Sequence, residues 1–185
     1  MIDEILIDAD EKMTKAIEHT REEFSNIRTG RANVAMFSSI MVEYYGTLTP
    51  LQQLASFNIP EARTVIVTPF DKSATNDIIK AIRESDLGVN PTDDGQVIRV
   101  ALPILTEDRR KEYVKLAKTK AEESRVAVRG IRRKLKDSLD KMKKDGLAGE
   151  DEITRGEKEL ESVTKKYIES IDSILAAKEA DLLKI

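Results

Sequence analysis

The chain of 185 residues contains no cysteine and no tryptophan, and aromatic residues make up only 4% of it. The absence of cysteine excludes disulfide bonds and thiolate metal sites. So few aromatic side chains argue against a stacking platform for single-stranded nucleic acid. No apolar run reaches the ~18 residues of a membrane helix, and the first residues lack the basic and apolar regions of a secretory signal. These absences predict a cytoplasmic protein without a membrane contact.

Residue patterns that carry enzyme chemistry are absent as well. The sequence has no glycine-rich phosphate loop, no histidine–cysteine cluster and no nucleophile elbow. His19 is the only histidine, and it lies off the apolar face of its predicted helix, so we interpret it as a surface residue. Glu157 and Glu159 flank Lys158, which is typical of a solvated charge ladder rather than of a catalytic pair. The sequence therefore predicts no catalytic residue, no metal site, no cofactor and no enzyme.

Charged residues, by contrast, form 35% of the chain, and many lie in two long segments without proline. Residues 106–145 and 150–185 repeat apolar side chains at intervals of three and four, which predicts amphipathic helices. These helices would be ~60 and ~50 Å long, and their short linker predicts that they run antiparallel. Residues 2–28 predict a third amphipathic helix. We therefore expect a long three-helix bundle formed by residues 1–29 and 106–185.

Between the first two of these helices the periodicity changes to that of short strands. Alternation before Gly46, a β-branched run at 63–68 and a final run at 96–102 each predict a strand. Ser73 is interpreted as the N-cap of a single helix in this region. The predicted fold class is thus α+β, with a small β/α domain at 31–104 inserted into the bundle.

The two connections to this inserted domain contain residues that suit a hinge. Gly30 lowers the backbone cost of a bend, and Pro103 breaks the pattern before the next long helix. We expect hinges near residue 30 and at 103–105, and a reorientation of the two domains as rigid bodies.

The segment 106–145 carries an excess of positive charge. It holds 15 Lys and Arg against 8 Asp and Glu, a net charge of +7, whereas the whole chain carries −3. Like charges at i,i+4 weaken a helix by a few tenths of a kcal/mol, so an anionic partner such as RNA explains the excess better than helix stability does. A solvated face is the alternative from this pattern alone. The basic stripe at helical spacing consists of Lys111, Lys115, Lys118, Arg125, Arg129, Arg132 and Lys136.

The densest part of this pattern is 125–134, where five basic residues fall within ten. Arg125, Arg129, Arg132 and Arg133 are therefore candidate RNA-binding residues, because the planar arginine fork suits phosphate and base edges. Compensation of the first helix's dipole accounts for Arg28 but less well for Arg31.

A set of short motifs occurs in a fixed order along the whole chain. The motifs are IRTGRA at 27–32, VEYYGT at 42–47, PL at 50–51, LA at 54–55, SDLG at 85–88, NP at 90–91, IRV at 98–100, LTE at 105–107, RRK at 109–111, VAVR at 126–129 and RR at 132–133. Together they resemble the bacterial ribosome recycling factors from end to end of the chain. Gly130 departs from the family pattern, in which a more polar and better helix-forming residue is expected.

The resemblance implies an L-shaped, tRNA-like monomer whose bundle lies along the large ribosomal subunit. It implies that the protein acts with elongation factor G and GTP to split the post-termination ribosome, leading to release of mRNA and tRNA. The resemblance implies that elongation factor G is the GTPase and that this protein is not itself an enzyme. By matching motif, the resemblance implies ribosomal RNA contacts at Arg28, Arg31, Arg129, Arg132 and Arg133, and the charge pattern independently favours Arg129 and Arg132.

A hypothesis from another class is a coiled-coil scaffold or holdase whose apolar faces bind protein partners. Such a protein needs neither a stripe of one charge nor a hinge. Its affinity should be nearly independent of salt, whereas log affinity for a phosphate-binding helix falls by ~0.7–0.9 per contact for each unit of log salt.

Overall fold

A computed structural model describes residues 1–184 of the chain, which divide into two compact units. The helical unit is formed by Met1–Ile27 together with the chain from Asp108 onward, and the sheet unit by Arg28–Glu107. In chain order the elements are α1 (Ile2–Ser25), β1 (Met41–Tyr44), β2 (Thr47–Pro50), α2 (Leu51–Leu54), β3 (Ala55–Glu61), β4 (Thr64–Pro69), α3 (Thr75–Arg83), β5 (Pro91–Asp93), β6 (Ile98–Ala101), α4 (Glu107–Lys144) and α5 (Glu150–Leu183). The α+β class and the insertion between the first two long helices are confirmed.

The helical unit is a bundle of α1, α4 and α5 whose apolar faces meet in a core of two clusters. Met13, Val128 and Ile171, one from each helix, are fully buried in the same cluster. A second cluster nearer the α4–α5 turn contains Leu139 and Leu160. Burial of each such side chain contributes roughly 1.5–3 kcal/mol, which is why helices this long and this charged fold together.

Two sets of polar side chains inside the bundle are hydrogen-bonded, which offsets the cost of their burial. The Thr20 and Ser124 hydroxyls bond to each other between α1 and α4. The Tyr167 hydroxyl donates to Asp10 Oδ1 at 2.5 Å and lies 2.8 Å from Thr14 Oγ1. These bonds favour one register of the helices over others.

The sheet unit contains a four-stranded antiparallel sheet in the order β3-β4-β6-β5 and a separate β1–β2 hairpin. Alternation buries Val65 and Val67 of β4 against Ile78 and Ile82 of α3. The hairpin turn places Tyr45 at φ +47° and Gly46 at φ +76°, the left-handed backbone that two-residue hairpin loops require.

Several local predictions differ from the structure. Helix α1 ends at Ser25 rather than at residue 28. Ser73 is not an N-cap, because a 3-10 turn at Lys72–Ala74 precedes α3 and the Asp71 side chain accepts from Ser73 N at 2.9 Å. The sequence patterns predict neither β3 nor β5, and each of these strands contains proline. Both are edge strands, where proline is tolerated.

Among residues 1–184, no helix combines the length and apolarity needed to cross a bilayer. The same part of the chain holds no group of three or more His, Asp or Glu side chains that could bind a metal ion.

Candidate nucleic-acid interface

Four of the candidate RNA-binding arginines lie on α4, and they differ in their exposure and in their ion pairs. Arg125 is the most constrained, since its side chain is only 19% exposed. Its Nε and Nη2 donate to Asp172 Oδ1 of α5 at 2.9 and 2.6 Å, and its Nη1 donates to Glu122 at 3.1 Å. The bond to Asp172 is the main cause that raises the pKa of Arg125. Arg125 therefore joins α4 to α5.

Arg129 shares the carboxylate of Glu122 with Arg125 but is far more accessible. Its Nη1 donates to Glu122 Oε1 at 3.3 Å, and its side chain is 49% exposed. The hydrogen bond from Arg125, with a smaller contribution from Arg129, holds the pKa of Glu122 below its ordinary value. Glu122 therefore stays ionised at neutral pH and orients both guanidinium groups.

Arg132 and Arg133 are neighbours in sequence but lie on different sides of α4. Arg132 Nη1 donates to both carboxylate oxygens of Glu161 on α5, at 3.3 and 3.2 Å, and its side chain is 37% exposed. Arg133 is exposed and has no ion pair within the described part of the chain. Arg133 is thus the arginine of this group whose charge is least compensated.

The stripe as a whole is more neutralised than the sequence indicated. Glu122 interrupts the stripe within α4, and α5 supplies three further carboxylates, from Asp172, Glu161 and Glu179. Pairing across two helices depends on how each is rotated in the bundle, which a pattern within one segment does not specify. The exposed pairs are each worth ~0–1 kcal/mol, so their arginines can exchange a carboxylate for a phosphate at small loss.

The remaining candidates lie in the sheet unit, and the structure brings the two predicted hinge segments together there. Arg28 Nη2 donates to the Asp86 carbonyl at 2.9 Å, whereas Arg31 is exposed. Gly30 has φ +78°, and a Cβ there would lie 3.5 Å from the Leu105 side chain. The glycine is thus required by a left-handed backbone, and not by the end of α1. Pro103, which precedes Leu105 by two residues, is exposed.

Comparison with known proteins gives a consistent result over nearly the whole chain. The family model for ribosome recycling factor matches residues 20–183. The ribosome-recycling factor of Cutibacterium acnes is 63% identical over 182 residues, which cover 98% of this chain and 99% of that protein.

Solved structures agree with the sequence relatives. A solution structure of the ribosome recycling factor is 40% identical, covers 100% of this chain and 98% of its own, and superposes with a TM-score of 0.80. A structure presenting the T. thermophilus ribosome recycling factor and the E. coli elongation factor G, bound to the E. coli post-termination complex, matches with 39% identity, complete coverage of both chains and a TM-score of 0.69. This chain belongs to the ribosome recycling factor family.

Proposed function

We propose that this protein is a cytoplasmic translation factor that binds the post-termination ribosome and splits it into subunits together with elongation factor G and GTP. Release of mRNA and tRNA follows from the splitting. Family membership over the full chain is the observation that carries this proposal. The protein acts as a monomer and is not itself an enzyme, because GTP hydrolysis belongs to elongation factor G.

Helix α4 is the element that we place against the RNA of the large subunit. Arg129, Arg132 and Arg133 present guanidinium groups that can bind phosphate in a bidentate way. Each phosphate contact releases condensed counterions, so this binding should weaken steeply with salt. Arg125 contributes mainly by fixing α4 to α5, because its guanidinium is already held by two carboxylates.

The sheet unit supplies the movable part of this proposal. Gly30 and the segment around Pro103 form its hinges, and Arg28 and Arg31 add contacts beside the first of them. Elongation factor G would push one unit while the helical unit stays bound to the large subunit. The resulting strain on the bridges between the ribosomal subunits is what separates them.

The scaffold or holdase alternative requires apolar helix faces that are open to a protein partner. The large apolar side chains of α1, α4 and α5 instead fill the core of the bundle. Isolated exposed residues such as Ile7 and Val126 remain, but single apolar residues on a surface are ordinary.

Light scattering from post-termination ribosomes tests the proposal. This protein, elongation factor G and GTP are added singly and together. We expect a fall in scattering only when all three are present, because splitting needs both the bound factor and the GTPase. An unchanged signal with all three, despite confirmed binding of both proteins, would contradict subunit splitting. Absence of both binding and splitting would contradict the proposal and favour the scaffold hypothesis for the helical unit.

A further inference from the structure

Helix α4 also carries cations that no described carboxylate holds. Arg133, Lys134, Lys141 and Lys144 are exposed, and their side chains make no ion pair or hydrogen bond among residues 1–184. Most other basic side chains in the second half of the helix are paired, as in Lys136 with Asp140 at 3.8 Å. We call these four residues the free-cation face.

The free-cation face is a single arc of the helix surface. At 100° per residue, Lys144, Lys141 and Lys134 lie ~20°, ~80° and ~100° around the axis from Arg133. The buried Leu135 and Leu139 lie ~200° and ~240° around, so the arc points directly away from the core.

The same arithmetic separates this face from the arginines that are tied to α5. Arg132 lies ~260° around from Arg133, and Arg125 lies ~280° around. Both are directed toward α5, where Glu161 and Asp172 hold them. Helix α4 thus presents two basic surfaces, one compensated by α5 and one not.

The free-cation face has the charge and length to follow a nucleic-acid backbone. It extends ~16 Å along the axis from Arg133 to Lys144. Asp137 is the only carboxylate of α4 within the arc over this length, which leaves a net charge of +3. Asp137 stands four residues after Arg133, yet the two form no ion pair. The excess positive charge is therefore directed outward.

We infer that the free-cation face is a second phosphate-binding surface, so that ribosomal RNA contacts α4 on two of its sides. The inference rests on the proposed function and adds Lys134, Lys141 and Lys144 to the contact residues. Three of the four residues are lysines, which bind phosphate as point charges without reading bases. No large apolar side chain lies in the arc between residues 133 and 144, so the face suits an RNA backbone better than a protein partner.

The test measures binding of the full chain to purified large ribosomal subunits between 50 and 200 mM salt. The variant carries Lys134→Gln, Lys141→Gln and Lys144→Gln, which remove charge with little change in helix propensity. We expect affinity to fall ~10–100-fold at ~0.1 M salt, and the slope of log affinity against log salt to shrink by ~2, because each lost contact contributes ~0.7–0.9. Circular dichroism should show unchanged helicity.

The matched control removes the same charge elsewhere on the helical unit, through Lys15→Gln, Lys158→Gln and Lys165→Gln. These lysines are exposed on α1 and α5. Equal losses in the two triple variants would overturn the inference, since overall charge alone would then explain the effect. An unchanged salt slope in the first variant would overturn it too. If the unaltered chain fails to bind the subunits, the proposed function itself is contradicted. This outcome differs from the two above, in which the unaltered chain binds and only the inference about the free-cation face fails.

A crosslink identifies the occupant directly. Because the chain has no cysteine, a Lys141→Cys variant takes a single benzophenone label. An adduct with large-subunit RNA is expected. An adduct confined to a ribosomal protein would overturn the assignment of this face to RNA.

Discussion

The arginines of α4 differ in how much of their charge is available to a ligand. Arg125 is bonded to Asp172 and Glu122 and is mostly covered. Within residues 1–184, Arg132 is paired with the exposed carboxylate of Glu161 alone. Sequence spacing places Arg125 and Arg132 on one basic stripe without ranking them, because it does not contain the position of α5. An arginine's contribution to stability and its contribution to binding should therefore separate along this helix.

Substitution of Arg132 by alanine should lower affinity for the large ribosomal subunit while leaving thermal unfolding nearly unchanged. Its exposed ion pair contributes ~0–1 kcal/mol to the fold, but a phosphate contact is lost. We expect the salt slope of binding to fall by ~0.7–0.9, measured by titration of labelled protein into subunits.

Arg125→Ala provides the internal comparison for that measurement. The loss of its hydrogen bonds to two carboxylates should lower the free energy of unfolding by about 1 kcal/mol or more. Affinity at temperatures well below unfolding should change less than in Arg132→Ala. If Arg125→Ala weakens binding more than Arg132→Ala does, the assignment of their roles is wrong.

Helix α4 is continuous over 38 residues in spite of the glycine at its middle. Gly130 has open space where a Cβ would stand, whereas a Cβ at Gly156 of α5 would lie 2.9 Å from the Ile2 side chain. Packing thus explains Gly156, and no contact within residues 1–184 explains Gly130.

The secondary-structure elements differ in how well the sequence predicts them. Long periodic helices were predicted within a few residues, but the edge strands β3 and β5 were missed because sheet pairing, and not local propensity, forms them.

Gly130→Ala should stabilise the protein by about 1 kcal/mol, since alanine is the better helix former and meets no obstacle. Gly156→Ala should gain less or lose stability, because Ile2 must move. Thermal unfolding of the two variants beside the unaltered chain measures the difference. A greater stability for Gly156→Ala than for Gly130→Ala would contradict the packing described for these two positions.

At the scale of the whole molecule, the chain places its cationic helix in one unit and its proposed hinges at the edge of the other. The excess of acidic residues outside residues 106–145 follows from the charge count. The left-handed backbone of Gly30, and the Leu105 side chain that lies 3.5 Å from where its Cβ would stand, do not follow from sequence, because they depend on how distant segments of the chain pack. The family motifs located these residues without giving their geometry.

A hinge at Gly30 and Pro103 predicts that distances between the units change on ribosome binding. Two cysteines introduced by Asp145→Cys and Gln96→Cys carry spin labels, and a pair within the helical unit, Asp145→Cys with Lys166→Cys, serves as control. We expect the first distance distribution to shift or narrow on binding, with the second unchanged. Identical distributions for the first pair in free and bound protein would contradict rigid-body reorientation.

Directed cleavage of RNA tests most directly whether α4 is the element that meets the ribosome. An iron chelate that generates hydroxyl radicals is attached to a single cysteine, at Val126→Cys on α4 or at Lys165→Cys on α5. Both positions are exposed, and the chain has no other cysteine. With the labelled proteins bound to large subunits, cleavage of ribosomal RNA should be clearly stronger from position 126 than from position 165. Equal cleavage from both positions, or stronger cleavage from position 165, would contradict the placement of α4 against RNA.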